Sequence, residues 1–321
     1  MDRIAEVRAL LGEDIEAVDR ELARMTREGA APATDSATHL LEAGGKRVRP
    51  LTVLLAAACF GAPPAGARDL AVVAELIHLA TLLHDDVIDD GQERRGRPTP
   101  RRLWGNAVSV LAGDLLLTHA LERTSAAAPA PVLADLFATL RLLVDGEVVQ
   151  LRGRTQLDPS EDVYFRIVRD KTASLFAWSA RSGATVAGAP PEAARALGDF
   201  GVHVGVAFQL VDDVLDYAGD PRETGKAVLG DLLEGKLTLP LIRALAAKPA
   251  LAADVEAVRA GDRRAASRVA DAVRGSGVCD SVRSLARDET ARALGALEAV
   301  PAGRARDLLG AIARELASRI D

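Results

Sequence analysis

Apolar residues recur along most of the chain at helical spacing, and prolines and glycines cut the pattern into segments. The breaks fall at Gly44-Gly45, Gly61 to Gly66, Gly91 to Pro100, Pro129 to Pro131, Pro159, Pro190-Pro191, Gly219 to Pro221, Pro249 and Pro301. Residues 71–90, AVVAELIHLATLLHDDVIDD, read as one helix that turns from apolar to acidic at its end. Asp158-Pro159-Ser160-Glu161 opens another, with an N-cap candidate followed by proline and an acid. No convincing alternation marks a strand, no βαβ rhythm appears, and no solenoid-like repeat recurs at a fixed period. No linker is polar and long enough to divide the chain. The pattern predicts an all-α, single-domain helical bundle over residues 1–321, with roughly ten or more helices.

Composition fits that expectation. Half of the 321 residues are apolar and only 3% are aromatic, which favours packed alanine-rich helices over a β-sandwich. A net charge of −6 argues against a general nucleic-acid binder. The two cysteines, Cys59 and Cys279, are not spaced as a metal or redox motif and read as ordinary thiols in a reducing compartment. The N-terminus MDRIAEVRALLGEDIEAVDREL is charged and amphipathic, unlike a secretory signal. The apolar run from Leu51 to Phe60 is about half a membrane span. A soluble cytoplasmic protein with no stable membrane span is expected.

The chemistry concentrates at two helix ends. Asp85 and Asp89 lie one turn apart on one face, with Asp86 beside them. Like charges so placed destabilise a helix, and acids at its C-terminus oppose the dipole. A divalent cation would reverse that sign, and oxygen-only ligands suit Mg²⁺; the alternative is a solvated acidic helix end. Asp212, Asp213 and Asp216 in FQLVDDVLD repeat the DDxxD spacing, again at the end of an apolar helix. A bundle can bring two such ends to opposite rims of a central cavity.

Cationic groups sit near the breaks. GGKRVRP carries Lys46, Arg47 and Arg49 after two glycines, which permit close approach of an anion to backbone. ERRGRPT carries Arg94, Arg95 and Arg97, RDKTASLF carries Lys171 and Thr172, and TGKAVLGDLLEGKLTLP carries Lys226 and Lys236. Any one group alone reads sooner as a solvated charge run than as an anion site. Beside two metal-type clusters they suit two diphosphates, one held through Mg²⁺ and one held by arginine and lysine.

Taken in order, GGKRVRP, LLHDDVIDD followed by RRG, KTASLF, FQLVDDVLD and GDLLEGKLTLP resemble the trans-isoprenyl diphosphate synthases, or polyprenyl synthetases. The motifs that carry the resemblance run from about Lys46 to Pro240, and it is expected to extend over the whole chain. It implies the isoprenoid synthase fold, a helical bundle around a cavity, usually homodimeric. It implies that Asp85 and Asp89 are Mg²⁺ ligands, with Asp86 close by, and that Asp212 holds a further Mg²⁺ while Asp216 assists through water. Three ions per site are expected. Lys46, Arg49 and His78, joined by Arg95, correspond to an isopentenyl diphosphate site. Arg94, Lys171, Thr172, Gln209, Lys226 and Lys236 correspond to contacts with the allylic diphosphate. Asp85, Asp86, Asp89, Asp212, Asp213, Lys171 and Lys226 form the expected catalytic group. Outside that context His78 reads as a satisfied core histidine and Gln209 as an ordinary surface amide. Ala227 departs from the family's usual proline after the glycine–lysine pair.

The implied reaction is head-to-tail (1′-4) condensation: ionisation of the allylic diphosphate, attack by isopentenyl diphosphate, and proton loss to the released pyrophosphate. The aspartates then serve as ligands, and catalysis is electrostatic, in a site that excludes water. Ala80 and Thr81, one turn before Asp85, are small where bulky aromatics in the family stop the growing tail early. A turn of about 5.4 Å matches roughly one isoprene unit. ELIHLATLLHDDVIDD and VDGEVVQLRG resemble medium-to-long-chain members, heptaprenyl to decaprenyl, with geranylgeranyl or farnesyl diphosphate as the alternative product. Leu115, Leu116, Leu143 and Val144 are candidates for the cavity floor. Two rival readings stand beside this one. A terpene cyclase would have no use for the GGKRVRP site, and a non-catalytic synthase subunit would typically have lost aspartates that are complete here.

Overall fold

The computed structural model describes residues 3–218 and 229–318. The described residues are overwhelmingly helical. In order they form α1 (Arg3–Met25), α2 (Ala33–Glu42), α3 (Val48–Ala58), α4 (Ala65–Ile88), α5 (Pro100–Trp104), α6 (Asn106–Ala127), α7 (Ala130–Thr155) and α8 (Glu161–Ile167). A π-helical turn, Val168–Ala173, leads into α9 (Ser174–Val186) and α10 (Pro191–Ala218). Then come α11 (Gly230–Leu233), α12 (Leu239–Ala247), α13 (Leu251–Arg259), α14 (Arg263–Gly275), α15 (Val278–Ala296) and α16 (Arg304–Ala317). The described residues pack as two compact units, one of residues 3–137, 175–199 and 296–311, the other of residues 138–174, 200–218, 229–295 and 312–318.

In the first unit α4 is the core helix. Leu70, Val73, Leu76, Ile77 and Leu83 are all buried, as are the alanines between them, and the helix packs against α1, α3 and α6. A helix apolar on every side must be enclosed, and each buried leucine or isoleucine contributes about 2 kcal/mol. The Trp178 indole of α9 donates to Val132 O at 3.3 Å, which satisfies the polar atom of a fully buried ring. The second unit has its own core, which includes Tyr164, Val206, Leu210, Val214, Tyr217, Leu241 and Val269. There α13 and α14 pair, and the Asp262 carboxylate caps α14 by accepting from Arg264 N at 2.8 Å and Ala265 N at 3.3 Å.

Two local expectations change. The α8 cap is Ser160, whose hydroxyl accepts from Val163 N at 3.3 Å, so the helix starts after the Asp158-Pro159 step. An antiparallel hairpin joins Glu93–Arg94 to Arg97–Pro98. Its turn residues, Arg95 (φ 52°) and Gly96 (φ 73°), are both left-handed, as tight two-residue hairpin turns require. Strands of two residues are too short to show alternation in the sequence.

Candidate active site

The first acidic cluster closes α4. Asp89 caps the helix with its N–H on Asp85 O at 2.8 Å, and Asp90 turns the chain with φ 52°. The hairpin then folds back, so that Arg94 Nε and Nη2 both donate to Asp86 Oδ1, at 3.0 and 2.8 Å. Asp86 is buried, and its Oδ2 has no hydrogen-bond partner among the described residues. Burial pushes the Asp86 carboxyl up, against the pull of the guanidinium. The helix end is also pinned to α6. His84 Nε2 lies 3.2 Å from Val110 O, Ser109 Oγ donates to Leu83 O at 2.9 Å, and Gly113 leaves room for the His84 ring.

Beside α4 lies a concentration of positive charge in the same unit. Gly44 (φ 82°) and Gly45 (φ 155°) turn the GGKRVRP loop, and the Arg95 guanidinium rests against Gly45, where a Cβ would meet Nη1 at 3.0 Å. The Arg49 guanidinium stacks 4.5 Å from the Phe176 ring centroid, and its Nε is buried with no hydrogen-bond partner among the described residues. Burial holds Arg49 down to about 10. Burial first, then Arg49, Arg95, Arg94 and Arg47, push His78 well below the usual histidine range, so the imidazole is neutral at neutral pH. Arg47 does different work: its Nη1 donates to the buried Glu75 at 2.6 Å. Lys46 is exposed on the loop. Arg49, His78, Arg94 and Arg95 thus converge on one locale with an unfilled buried donor, which suits a polyanion.

The second cluster ends the apolar part of α10. Tyr164 OH donates to Asp213 Oδ2 at 2.6 Å and Gln209 Nε2 donates to Asp213 Oδ1 at 2.8 Å. Thr172 Oγ1 donates to Gln209 Oε1 at 3.1 Å. Burial, then the nearby Asp231 charge, push both Asp213 and Asp216 up to about 7. Asp216 receives the backbone N–H groups of Asp231 and Gly230, while its Oδ2 is buried without a partner among the described residues. Lys236 bonds Asp231 at 3.4 Å and Glu234 at 2.6 Å. Asp212 is half-buried beside them. Lys226 and Ala227 lie outside the described residues.

Lys171 and Thr172 sit in the π-turn, where Lys171 forms an ion pair with Glu147 of α7. The turn is gripped by two glycines of the same unit. A Cβ on Gly146 of α7 would meet Lys171 N at 2.9 Å, and one on Gly205 of α10 would meet Ala173 Cα at 2.5 Å. Neither position admits a larger residue without displacing backbone. π-Turns that interrupt α-helices are frequent at functional sites.

Ala80 is buried and Thr81 is half-buried, its hydroxyl returned to His78 O at 2.8 Å. Leu116 is fully buried and Leu143 is buried, Leu115 is half-buried, and Val144 is 63% exposed. Val144 therefore faces outward in the single chain. Sequence reading missed Tyr164, Glu75 and Glu147, whose partners are distant in the chain. It also missed Gly146 and Gly205, although a glycine inside a helical pattern is itself a signal of close approach.

The donor chemistry fits a hard divalent cation. Both ends offer carboxylate oxygen, each has a buried oxygen that lacks a partner, and no group of three or more acidic, histidine or cysteine residues forms a complete cage among the described residues. One or two carboxylates with water and substrate phosphate as the remaining ligands is the usual way of holding Mg²⁺.

Comparison with known proteins places this architecture. The polyprenyl synthetase family model matches residues 31–275. The chain is 36% identical to heptaprenyl diphosphate synthase component 2 of Geobacillus stearothermophilus over 97% of both chains. It is 37% identical to an all-trans-nonaprenyl-diphosphate synthase (geranyl-diphosphate specific) of Rhodobacter capsulatus over 98% of both. A polyprenyl synthase from Caulobacter crescentus CB15, crystallised with calcium and isoprenyl diphosphate, superposes with a TM-score of 0.94 at 38% identity, over 99% of this chain and 98% of that one. The chain belongs to the polyprenyl synthetase family. It is accordingly a prenyltransferase, of a family that condenses isopentenyl diphosphate with allylic diphosphates. Among the described residues no helix is long and apolar enough to cross a membrane.

Proposed function

We propose that the chain makes all-trans polyprenyl diphosphates of medium to long length, as a cytoplasmic homodimer using three Mg²⁺ ions per site. In this reading residues 1–321 act as one polyprenyl synthetase domain, to which both acidic helix ends contribute ligands. The observation that carries it is the repeated DDxxD spacing at the ends of two largely buried apolar helices, each with an unfilled carboxylate oxygen.

Asp85 and Asp89 on one side, and Asp212 with Asp216 on the other, would hold the ions against the allylic diphosphate. When bound, the ions supply charge neutralisation to the leaving group. Arg94, Lys171, Thr172, Gln209, Lys226 and Lys236 orient that diphosphate, and Asp86 and Asp213 hold Arg94 and Gln209 in place. Arg49, Lys46, Arg95 and His78 seat the second diphosphate; the neutral imidazole donates one hydrogen bond without adding to the charge. The C1–O bond breaks with its electron pair on oxygen. The C4 terminus of isopentenyl diphosphate bonds to C1, the positive charge moves to C3, and a proton leaves C2 for the released pyrophosphate. Apolar walls exclude water that would quench the cation.

Support for a long product comes from the small side chains Ala80 and Thr81, and from the heptaprenyl and nonaprenyl relatives. A short-chain geranylgeranyl or farnesyl synthase is the alternative. The word "component" in the Geobacillus relative's name favours a second reading, in which this chain needs a partner protein. Purified chain supplied with farnesyl diphosphate, isopentenyl diphosphate and Mg²⁺ tests both. Product longer than geranylgeranyl diphosphate is expected; activity only after adding a second protein would transfer the assignment to the two-component reading.

A further inference from the structure

We infer that Tyr164 is a positioning residue for the allylic diphosphate, acting through Asp213 on the Gln209 amide. The hydrogen bonds converge on Asp213 within the second unit, from Tyr164 on one side and from Thr172 through Gln209 on the other. Tyr164 occupies Asp213 Oδ2 at 2.6 Å, so the carboxylate presents Oδ1 to Gln209. A carboxylate next to an amide takes the NH₂ side, which turns Gln209 Oε1 toward the Thr172 hydroxyl at 3.1 Å. The amide is thereby fixed in one of its two flips, and its second N–H remains to donate to an anion. With its proton on Gln209, Thr172 acts on the diphosphate through that amide, whose second N–H is the pair's donor to a diphosphate oxygen.

Tyr164 suits this role. It is buried in α8, the helix that leads into the π-turn, its ring packs edge-on to Phe165 with centroids 5.2 Å apart, and its hydroxyl proton is committed to Asp213. Without that hydroxyl the carboxylate could rotate, and the flip of Gln209 would no longer be fixed. Nothing in the sequence marks Tyr164, because its partner lies 49 residues away.

The inference rests on the reading that Gln209 contacts the allylic diphosphate, and a double-mutant cycle separates the two. Tyr164→Phe, Gln209→Ala and the double variant are compared for the KM of each substrate, for kcat and for thermal midpoint. Gln209→Ala is expected to raise the allylic KM about tenfold, the usual scale for one hydrogen bond to a charged group. Tyr164→Phe is expected to raise the same KM about fivefold, with the isopentenyl diphosphate KM unchanged. The double variant is expected to be no worse than Gln209→Ala alone. If Gln209→Ala raises the allylic KM while Tyr164→Phe leaves it unchanged, or if the two effects multiply, the relay is wrong and the contact stands. An unchanged allylic KM in Gln209→Ala overturns both. Equal changes in both KM values with a large fall in the midpoint make Tyr164 a purely structural residue and overturn the inference.

Discussion

The ends of α4 and α10 carry the same acidic spacing, yet the middle aspartate of each is held by opposite means. Asp86 is met by a guanidinium, whereas Asp213 is met by a hydroxyl and an amide, both neutral. Around α4 arginines predominate, and burial first, then those arginines, favour the neutral form of His78. Around α10 Asp231 adds further negative charge, and the carboxyls of Asp213 and Asp216 rise to about 7. At the first end the middle carboxylate is matched by a charge within the protein, and at the second it is matched by neutral donors alone.

The largest test removes a ligand from either end. Asp85→Ala and Asp212→Ala are each expected to lower turnover about a thousandfold with an unchanged circular dichroism spectrum, since electrostatic stabilisation of the leaving group is lost. Near-normal turnover in either would contradict the metal assignment. Next, Arg94→Met strands the buried Asp86 without its counter-charge and is expected to cost about 3 kcal/mol in urea unfolding. Tyr164→Phe, the equivalent loss at the neutral-held end, should cost only about 1 kcal/mol; equal losses would erase the contrast between the two ends. Gly205→Ala forces a methyl into the Ala173 backbone and is expected to cost about 2 kcal/mol while raising the allylic KM.

Two smaller effects follow. Ala80→Phe or Thr81→Phe is expected to shorten the product, and an unchanged chromatographic distribution would mean that the tail runs elsewhere. His78 provides a pH signature. Its folded pKa is depressed, so below the ordinary value near 6.5 only the unfolded chain gains the proton. The stability that His78 contributes is therefore present above pH 6.5 and lost as pH falls, by about 1.4 kcal/mol per unit at most. His78→Asn should flatten the thermal midpoint between pH 7 and 5.5 relative to the parent chain.

Much of this was legible in the sequence because it is local. Periodicity marked the helices, and the acids at 85–89 and 212–216 declared themselves by standing where an apolar helix gains nothing from charge. The separate duties of the arginines were not legible. Arg94 reaches Asp86 and Arg95 rests on Gly45 only because a two-residue turn points neighbouring side chains in different directions. Arg47 resembles Arg49 in sequence, but the buried Glu75 that claims it is 28 residues away. The π-turn was equally invisible, since it depends on the close approach of Gly146 and Gly205 from two other helices.

In the proposed function the two acid-ended helices both serve the ionisation of an allylic diphosphate by the chain alone. Labelled isopentenyl diphosphate, farnesyl diphosphate and Mg²⁺ incubated with the purified chain, with the dephosphorylated products separated by chromatography, measure it directly. Consumption of both substrates into all-trans alcohols longer than geranylgeraniol, abolished by Asp85→Ala and by Asp212→Ala alike, is the predicted result. No incorporation of label by the purified chain, or incorporation that survives the loss of either aspartate, would contradict it.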